Sequence, residues 1–148
     1  MQYHIAQLNV AKLLQPVDHP DTKEFVDNVP RINLLAESSE GFVWRLKDAE
    51  EAAQPAVFPE DASMISTLSV WTSPELLKSY AYKTEHGAFF KRRKAWFAPI
   101  AEANYVLWWV PFGHKPTNAE ARERLEHLRQ HGDTEFAFSF KQIIYPAQ

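Results

Sequence analysis

The stretch from Asn104 to Gly132 constrains the fold of this chain more than any other. It begins with an aromatic run, NYVLWWV, passes through a short loop that contains His114, and enters a helical pattern at Thr117. Successive side chains of a strand point to opposite faces, so the adjacent Trp108 and Trp109 must lie on different sides of a sheet. We therefore expect a strand end, a polar loop and a helix start to meet at the rim of a pocket.

The rest of the chain alternates strand and helix patterns in the order β-α-β-β-α-β, followed by a helix and a tail strand. The pattern predicts strands at 3–10, 42–47, 64–71 and 105–110, helices at 21–39, 73–83 and 117–132, and a last extended segment at 136–145. Ser73-Pro74 and Thr117-x-x-Glu120 are typical helix starts. Pro30 should kink or split the first helix. This order is typical of an α+β fold with an antiparallel sheet, the ferredoxin-like split βαβ plan.

Length and composition indicate a single domain over residues 1–148. We predict a mobile insertion at 48–63, which carries Pro55 and Pro59 between two strands. The predicted strands have apolar residues on both faces, for example Ile5 against Leu8. Helices cover only one face in this plan, so a second copy of the chain would supply the missing cover. The sequence therefore predicts a homodimer.

Composition excludes several classes of function. The chain has no Cys, which rules out disulfides, thiolate catalysis and cysteine-ligated metals. Its formal net charge of −3 argues against a nucleic-acid partner. No apolar run is long enough to cross a bilayer, and the N-terminus lacks the pattern of a signal peptide. We expect a soluble, cytoplasmic protein with no membrane partner.

Four phrases carry a resemblance to a known family: YHIAQLNVA, INLLAESSEGFVWRL, SVWTSPELLKSY and LWWVPFGHKPTNAEARERLEHLRQHG. Over nearly the whole chain they resemble the uncharacterised bacterial domain-of-unknown-function family 3291 within the dimeric α/β-barrel superfamily. More distant relatives of that superfamily include antibiotic-biosynthesis monooxygenases, haem-degrading enzymes and spheroidene monooxygenase. The resemblance implies a dimeric α/β barrel, in which the sheets of two chains enclose a cavity.

The passage SVWTSPELLKSY is similar to the strand-to-helix passage of the haem-degrading members, which use an Asn on the first strand and then a Trp and a His on the following helix. Asn9 matches the first of these positions. Tyr80 stands where Trp is expected, and Phe90 stands near the position of the His. His86 is the nearest histidine but is out of register. This departure argues against haem degradation by that mechanism.

Two residues are candidates for catalysis. Asn9 could polarise a carbonyl or hold oxygen; the alternative is an amide that is hydrogen-bonded at a strand end. His86 could act as a general base or as an axial haem ligand; the alternative is an exposed histidine near Gly87. Candidate substrate-binding residues are Trp71, Tyr80, Arg93, Trp108 and His114.

No metal site is expected. His127 and His131 are four residues apart on one helix side, but the pattern favours a solvated helix face over a zinc site. The function predicted is a monooxygenase-like enzyme that acts on an aromatic or polycyclic small molecule in a barrel cavity. The alternative is a non-catalytic module that binds a small molecule or haem. The cofactor is left open, because haem is possible and no cofactor is required if the substrate reacts directly with O₂.

Overall fold

A single antiparallel sheet organises the protein, and its central strand is the first one in the chain. In the computed structural model, which describes residues 2–83 and 92–146, the helices and strands are β1 Tyr3–Leu13, α1 Lys23–Glu37, β2 Phe42–Arg45, α2 Asp48–Ala52, β3 Met64–Trp71, α3 Pro74–Lys83, β4 Phe97–Ala98, β5 Tyr105–Pro111 and α4 Asn118–His131. Short 3-10 turns lie at Pro20–Thr22 and Arg93–Ala95.

The sheet has five strands in an order that confirms the predicted ferredoxin-like α+β fold. β2 pairs with β3 and β3 pairs with β1, all antiparallel. The other side of β1 pairs with β5 along most of its length and with the short β4 at Lys12 and Leu13. β1 is therefore an internal strand, and every other strand except β2 pairs directly with it.

The pairing register fixes which residues share a face. Ile5 stands opposite Trp71 on one side and Trp109 on the other, and these three side chains belong to the face we call the α1/α3 face. Ala6 stands opposite Val70 and Trp108, on the face we call the α4 face. The predicted division of β1 into two alternating sets of residues is confirmed.

Each face has its own apolar core. On the α1/α3 face the buried cluster comprises Ile5, Ala36, Trp71, Leu77, Leu107 and Phe138. On the α4 face it includes Ala6, Leu8, Val70, Trp108, Ala121, Leu125 and Leu128. Because α4 and the segment around Val57 bury the α4 face, no second copy is needed to cover it. The α1/α3 face is more open, since Thr67 is exposed and Gln7 and Asn9 are half-buried. The homodimer stays a prediction.

The segment at 48–63 is tied to the body of the protein at several points. It begins with α2, and its Gln54 Oε1 accepts a hydrogen bond of 2.8 Å from the backbone N–H of Asn118. Arg122 of α4 donates to the Val57 carbonyl at 2.9 Å, and Lys12 of β1 donates to Asp61 at 2.8 Å. The lysine and the Ser63 hydroxyl hold the pKa of Asp61 at about 2. These contacts favour an ordered segment; the mobile insertion stays a prediction.

The helix does not split at Pro30, because α1 is one continuous helix with Pro30 on an exposed side; a kink there stays a prediction. The predicted tail strand was wrong. The tail at 136–145 forms no regular strand, and only Phe138 pairs, exchanging two hydrogen bonds with Leu107. The tail crosses the edge of β5 there, with Ala137 in the core of the α4 face and Phe138 in the core of the other.

Replacing Leu125 with Ala tests whether α4 packs on the sheet and buries the α4 face. Leu125 is fully buried on the α4 face, so we expect a loss of about 2–5 kcal/mol in the free energy of unfolding. Leu34→Ala is the matched control, because Leu34 is 64% exposed on α1 and should cost less than about 0.5 kcal/mol. Urea unfolding of both variants measures the difference, and equal losses would contradict this packing.

Candidate functional site

An open cleft of about 570 Å³ lies where β5 ends and α4 begins. Its walls are the end of β5, the following loop and the first two turns of the helix; the lining residues are Trp109, Val110, Pro111, His114, Ala119, Glu120, Glu123 and Arg124. The strand side is mainly apolar and the helix side is charged. This is the junction at which the aromatic strand, the polar loop and the helix start were expected to form a pocket rim.

Helix α4 starts here because Thr117 caps it. The Thr117 hydroxyl accepts a hydrogen bond of 3.1 Å from the backbone N–H of Glu120, as the predicted capping box requires. In the other half of a capping box, the Glu120 carboxylate would bond to the backbone N–H of Thr117. In this protein the carboxylate instead turns toward the cleft and the sheet.

The Glu120 carboxylate joins the sheet to the loop. One oxygen accepts a hydrogen bond of 2.8 Å from the indole N–H of Trp108, and the other lies 2.7 Å from Nε2 of His114. A carboxylate can only accept, so His114 must donate from Nε2. In a neutral imidazole Nδ1 is then the atom that can take up a proton. The arrangement gives a histidine held in one tautomer by a carboxylate, the acid–base pair found in many active sites.

Arg124 supplies the cationic side of the cleft. Its guanidinium donates to the carbonyl of Phe136 at 2.8 Å and lies 3.7 Å from the centre of the Phe136 ring. Burial lowers the pKa of Arg124, while Glu120 and Glu123 oppose that shift. An arginine keeps its charge throughout, so the guanidinium offers a fixed positive charge to a ligand.

Trp71 and Trp108 do not share a cavity, because they lie on opposite faces of the sheet. Each is fully buried with its indole N–H bonded inside the protein, Trp71 to the Ser69 hydroxyl at 2.9 Å and Trp108 to Glu120. Tyr80 stacks on Trp71 with ring centres 5.0 Å apart, and burial raises the pKa of its phenol. The structure therefore places Trp71 and Tyr80 in the core of the α1/α3 face.

Asn9 lies far from the cleft. It is half-buried on the α1/α3 face, opposite Thr67 on β3 and Tyr105 on β5. Tyr105 begins β5 and His114 follows its end, and the strand between Tyr105 and Pro111 spans roughly 20 Å at about 3.3 Å per residue. Asn9 and His114 therefore cannot contact one small ligand at the same time.

Two predicted residues lie in or next to the segment 84–91. His86 belongs to the segment 84–91, which is outside the described residues. Arg93 is exposed in a 3-10 turn, next to Arg92, which forms an ion pair with Glu24 of α1. Of the six predicted site residues that the structure describes, only His114 lines the cleft directly, and Trp108 joins it through Glu120.

Glu120 is the residue that the sequence did not reveal as part of a site. Its place in a capping box and its spacing to Arg124 gave it two ordinary roles on the helix. Neither accounts for its contacts with Trp108 and His114. The one available signal was a carboxylate six residues after a loop histidine, a spacing too common to single out a dyad.

The described residues contain no group of three or more potential ligands that would hold a metal ion. His127 and His131 do face each other, with ring centres 4.5 Å apart, but the neighbour of His127 on its other side is the Phe136 ring. Among the helices of residues 2–83 and 92–146, none has the length and apolar character needed to cross a bilayer.

Residues 4–148 match the model of the family described as a domain of unknown function (DUF3291), so the chain belongs to that family. Comparison with curated proteins and with solved structures found no match. The family assignment supports the first part of the resemblance seen in the sequence, and it brings no assigned activity with it.

Replacing Glu120 with Gln tests the carboxylate that joins Trp108 to His114. Glutamine keeps the shape but loses the charge that strengthens both bonds, so we expect a loss of about 1–2 kcal/mol in the free energy of unfolding and a shift of the Trp108 indole N–H signal in NMR spectra. Glu123→Gln is the matched control, because Glu123 lies on the same helix, next to Arg124, and lines the same cleft. It should change neither the free energy of unfolding nor the Trp108 signal. If both variants behave alike, the dyad does not form in solution.

Proposed function

We propose that this member of the DUF3291 family is a monooxygenase-like enzyme that acts on an aromatic or polycyclic small molecule in the cleft between β5 and α4. The observation that carries the proposal is the His114–Glu120 pair at the mouth of a cleft with an apolar strand wall. The resemblance to the monooxygenases of the dimeric α/β-barrel superfamily adds the reaction class. A cleft of this volume is in the range of small-molecule sites.

The chemistry that these residues offer is proton abstraction. Nδ1 of His114 can take the hydroxyl proton of a phenolic substrate, and the Glu120 carboxylate stabilises the imidazolium that results. The phenolate is richer in electrons than the phenol and is the form that can react with O₂ directly. The substrate itself supplies all four electrons, because its ring C–H becomes a quinone carbonyl with one atom of O₂ while the other atom leaves as water. Arg124 lines the same cleft, and its positive charge would stabilise developing negative charge there.

The haem alternative needs an axial imidazole with a free nitrogen. His114 keeps Nδ1 free, and its Nε2 bond to Glu120 is of the kind that orients a metal-ligating histidine. The other candidate ligand is His86, which lies outside the described residues. An absorbance spectrum of the purified protein tests it, since bound haem gives a strong Soret band.

Non-catalytic binding is the second candidate function. It is favoured by the aromatic side chains, since Trp71, Tyr80 and Trp108 all pack in the two cores and do not line an internal chamber. A binding protein needs the cleft and its charges but no base. It should be stabilised by its ligand without forming a product.

We also propose that the protein acts as a homodimer in the bacterial cytoplasm, as the resemblance implies. Since α4 and the segment around Val57 cover the α4 face, the contact would have to use another surface. The exposed Val43 on the edge strand β2 lies on one such surface. Native mass spectrometry measures the assembly and any retained small molecule together.

The enzyme proposal is tested with His114→Gln and oxygen uptake. With 1-naphthol and 1,5-dihydroxynaphthalene as probes, the wild-type protein should consume O₂, and loss of the base should slow turnover roughly a hundredfold or more. His131→Gln is the matched control, because His131 is exposed at the far end of the same helix.

The outcomes separate the two functions. Naphthol binding to the wild-type protein without oxygen uptake would contradict the enzyme and favour the binding module. Equal turnover in the two histidine variants would remove His114 from the reaction while leaving the enzyme class in place.

A further inference from the structure

The first arginine of α4, Arg122, is paired within the protein. It borders a second groove, of about 420 Å³, between the start of the helix and the 48–63 segment, and Asn118 lines the same groove. The Arg122 guanidinium lies 2.7 Å from the Glu60 carboxylate and 2.6 Å from that of Glu126. Hydrogen bonds to these two carboxylates raise the pKa of the arginine. The positive charge beside the second groove is therefore neutralised by the protein itself.

Arg124 borders the cleft under different conditions. It is half-buried and is itself one of the residues that line the cleft, so a ligand in the cleft can reach it. One of its N–H groups donates to the Phe136 carbonyl at 2.8 Å. Within the part of the chain that the structure describes, its guanidinium has no other hydrogen bond and no carboxylate oxygen within 4.0 Å. Arg129, farther along the helix, does have a carboxylate at that range, 3.9 Å away on Glu102.

The contacts of Glu120 explain why Arg124 has no carboxylate beside it. Glu120 lies four residues earlier, the position from which it would pair with this arginine on an isolated helix. Its two oxygens are instead bonded to Trp108 and His114. Burial lowers the pKa of Arg124, and the charges of Glu120 and Glu123 oppose that shift without bonding to it. A partly buried positive charge is therefore left without a direct partner at the wall of the cleft.

A ligand carboxylate would supply that partner. Paired hydrogen bonds between a guanidinium and a carboxylate are among the strongest in proteins. The Phe136 ring, centred 3.7 Å from the guanidinium carbon, and the Phe136 carbonyl already hold the Arg124 side chain, so little of its freedom is lost on binding. A phosphate fits less well, because its larger negative charge would meet Glu120 and Glu123 in the same cleft.

We propose that the cleft binds an aromatic hydroxy acid, whose carboxylate pairs with Arg124 and whose hydroxyl faces Nδ1 of His114. Glu120, which holds His114, and Arg124 are about 6 Å apart along the helix axis, so a ring fits between the two contacts. That ring would lie against the strand wall at Val110 and Pro111. In this complex Arg124 positions the substrate, and the imidazolium of His114 faces the phenolate. The hydroxyl contact rests on the function proposed above, whereas the carboxylate contact does not.

A matched acid and amide test the carboxylate contact on the wild-type protein. 6-Hydroxy-2-naphthoate carries the carboxylate, and 6-hydroxy-2-naphthamide has the same ring and hydroxyl with a neutral group of similar shape. Isothermal titration calorimetry in oxygen-free buffer at neutral pH should show roughly tenfold tighter binding of the acid, because a hydrogen bond to a charged group contributes about that factor or more. Equal affinities, or no binding of either compound, would overturn the proposal.

Arg124→Gln checks the contact itself. The variant removes the positive charge, so the acid should bind no tighter than the amide. Lys115→Gln is the matched control, because it changes the net charge equally at an exposed residue next to His114 that does not line the cleft. It should keep the tenfold preference. Loss of the preference in both variants would indicate a general attraction of anions and would overturn the assignment to Arg124.

Glu123→Gln should change the affinity in the opposite direction. It removes a negative charge from the cleft, so the acid should bind roughly twofold tighter while the amide is unaffected. An unchanged affinity for the acid would place the carboxylate elsewhere and count against the proposal. If Arg124→Gln does not fold, this variant and the wild-type comparison decide the matter.

The oxygen measurement separates this inference from the proposed enzyme, because binding in oxygen-free buffer requires no turnover. A preference for the acid without oxygen uptake would contradict the enzyme and support the carboxylate site. Oxygen uptake with 1-naphthol, together with equal binding of the acid and the amide, would support the enzyme and overturn the carboxylate site.

Discussion

The structure depends on the burial of β1 on both of its faces. Ile5, Ala6 and Leu8 are all fully buried, although successive side chains point to opposite sides of the sheet. Such a strand is stable only if each face receives its own apolar layer. The ferredoxin-like plan provides one layer through α1 and α3. The other layer must come from outside that plan, and here it comes from the same chain, through α4 and the segment around Val57.

This requirement explains why packing contacts, helix capping and both pockets meet at the start of α4. Leu125 and Leu128 fix the helix on the sheet, and its first turns then lie beside the end of β5. There Glu120 lines the cleft and Asn118 lines the second groove. Backbone N–H groups at a helix start need partners, and here Thr117 and Gln54 supply two of them from different parts of the chain. The residues that cap α4 and hold it on the sheet therefore lie beside those that line the two pockets.

Much of the fold could be predicted because it follows from local periodicity. The alternation in β1 gave its two faces, the Ser73-Pro74 start gave α3, and β3 has the predicted bounds Met64–Trp71. Other features have no decisive local signal. A proline in a helical pattern allows a kink or a split, and only the structure shows that α1 does not split at Pro30. The two-residue β4 is too short to leave a pattern. The site was harder to predict, because Asn9 came from a match to a family motif, whereas Trp71 and Trp108 were chosen as tryptophans on strands. Only the structure shows that Trp71 and Trp108 lie on opposite faces of the sheet.

The sequence alone determined the α+β class, the opposite directions of Trp108 and Trp109, and the junction of strand, loop and helix near His114. These are consequences of side-chain period and of capping, which act over a few residues. Only the tertiary structure decided that Trp71 and Trp108 belong to separate cores and that Glu120 bonds to Trp108 and His114. It also decided that Asn118 is buried beneath a segment more than sixty positions earlier in the chain. Those facts depend on which face α4 covers, and a helix with one apolar stripe can be docked on either face until the other layers of the fold have been placed.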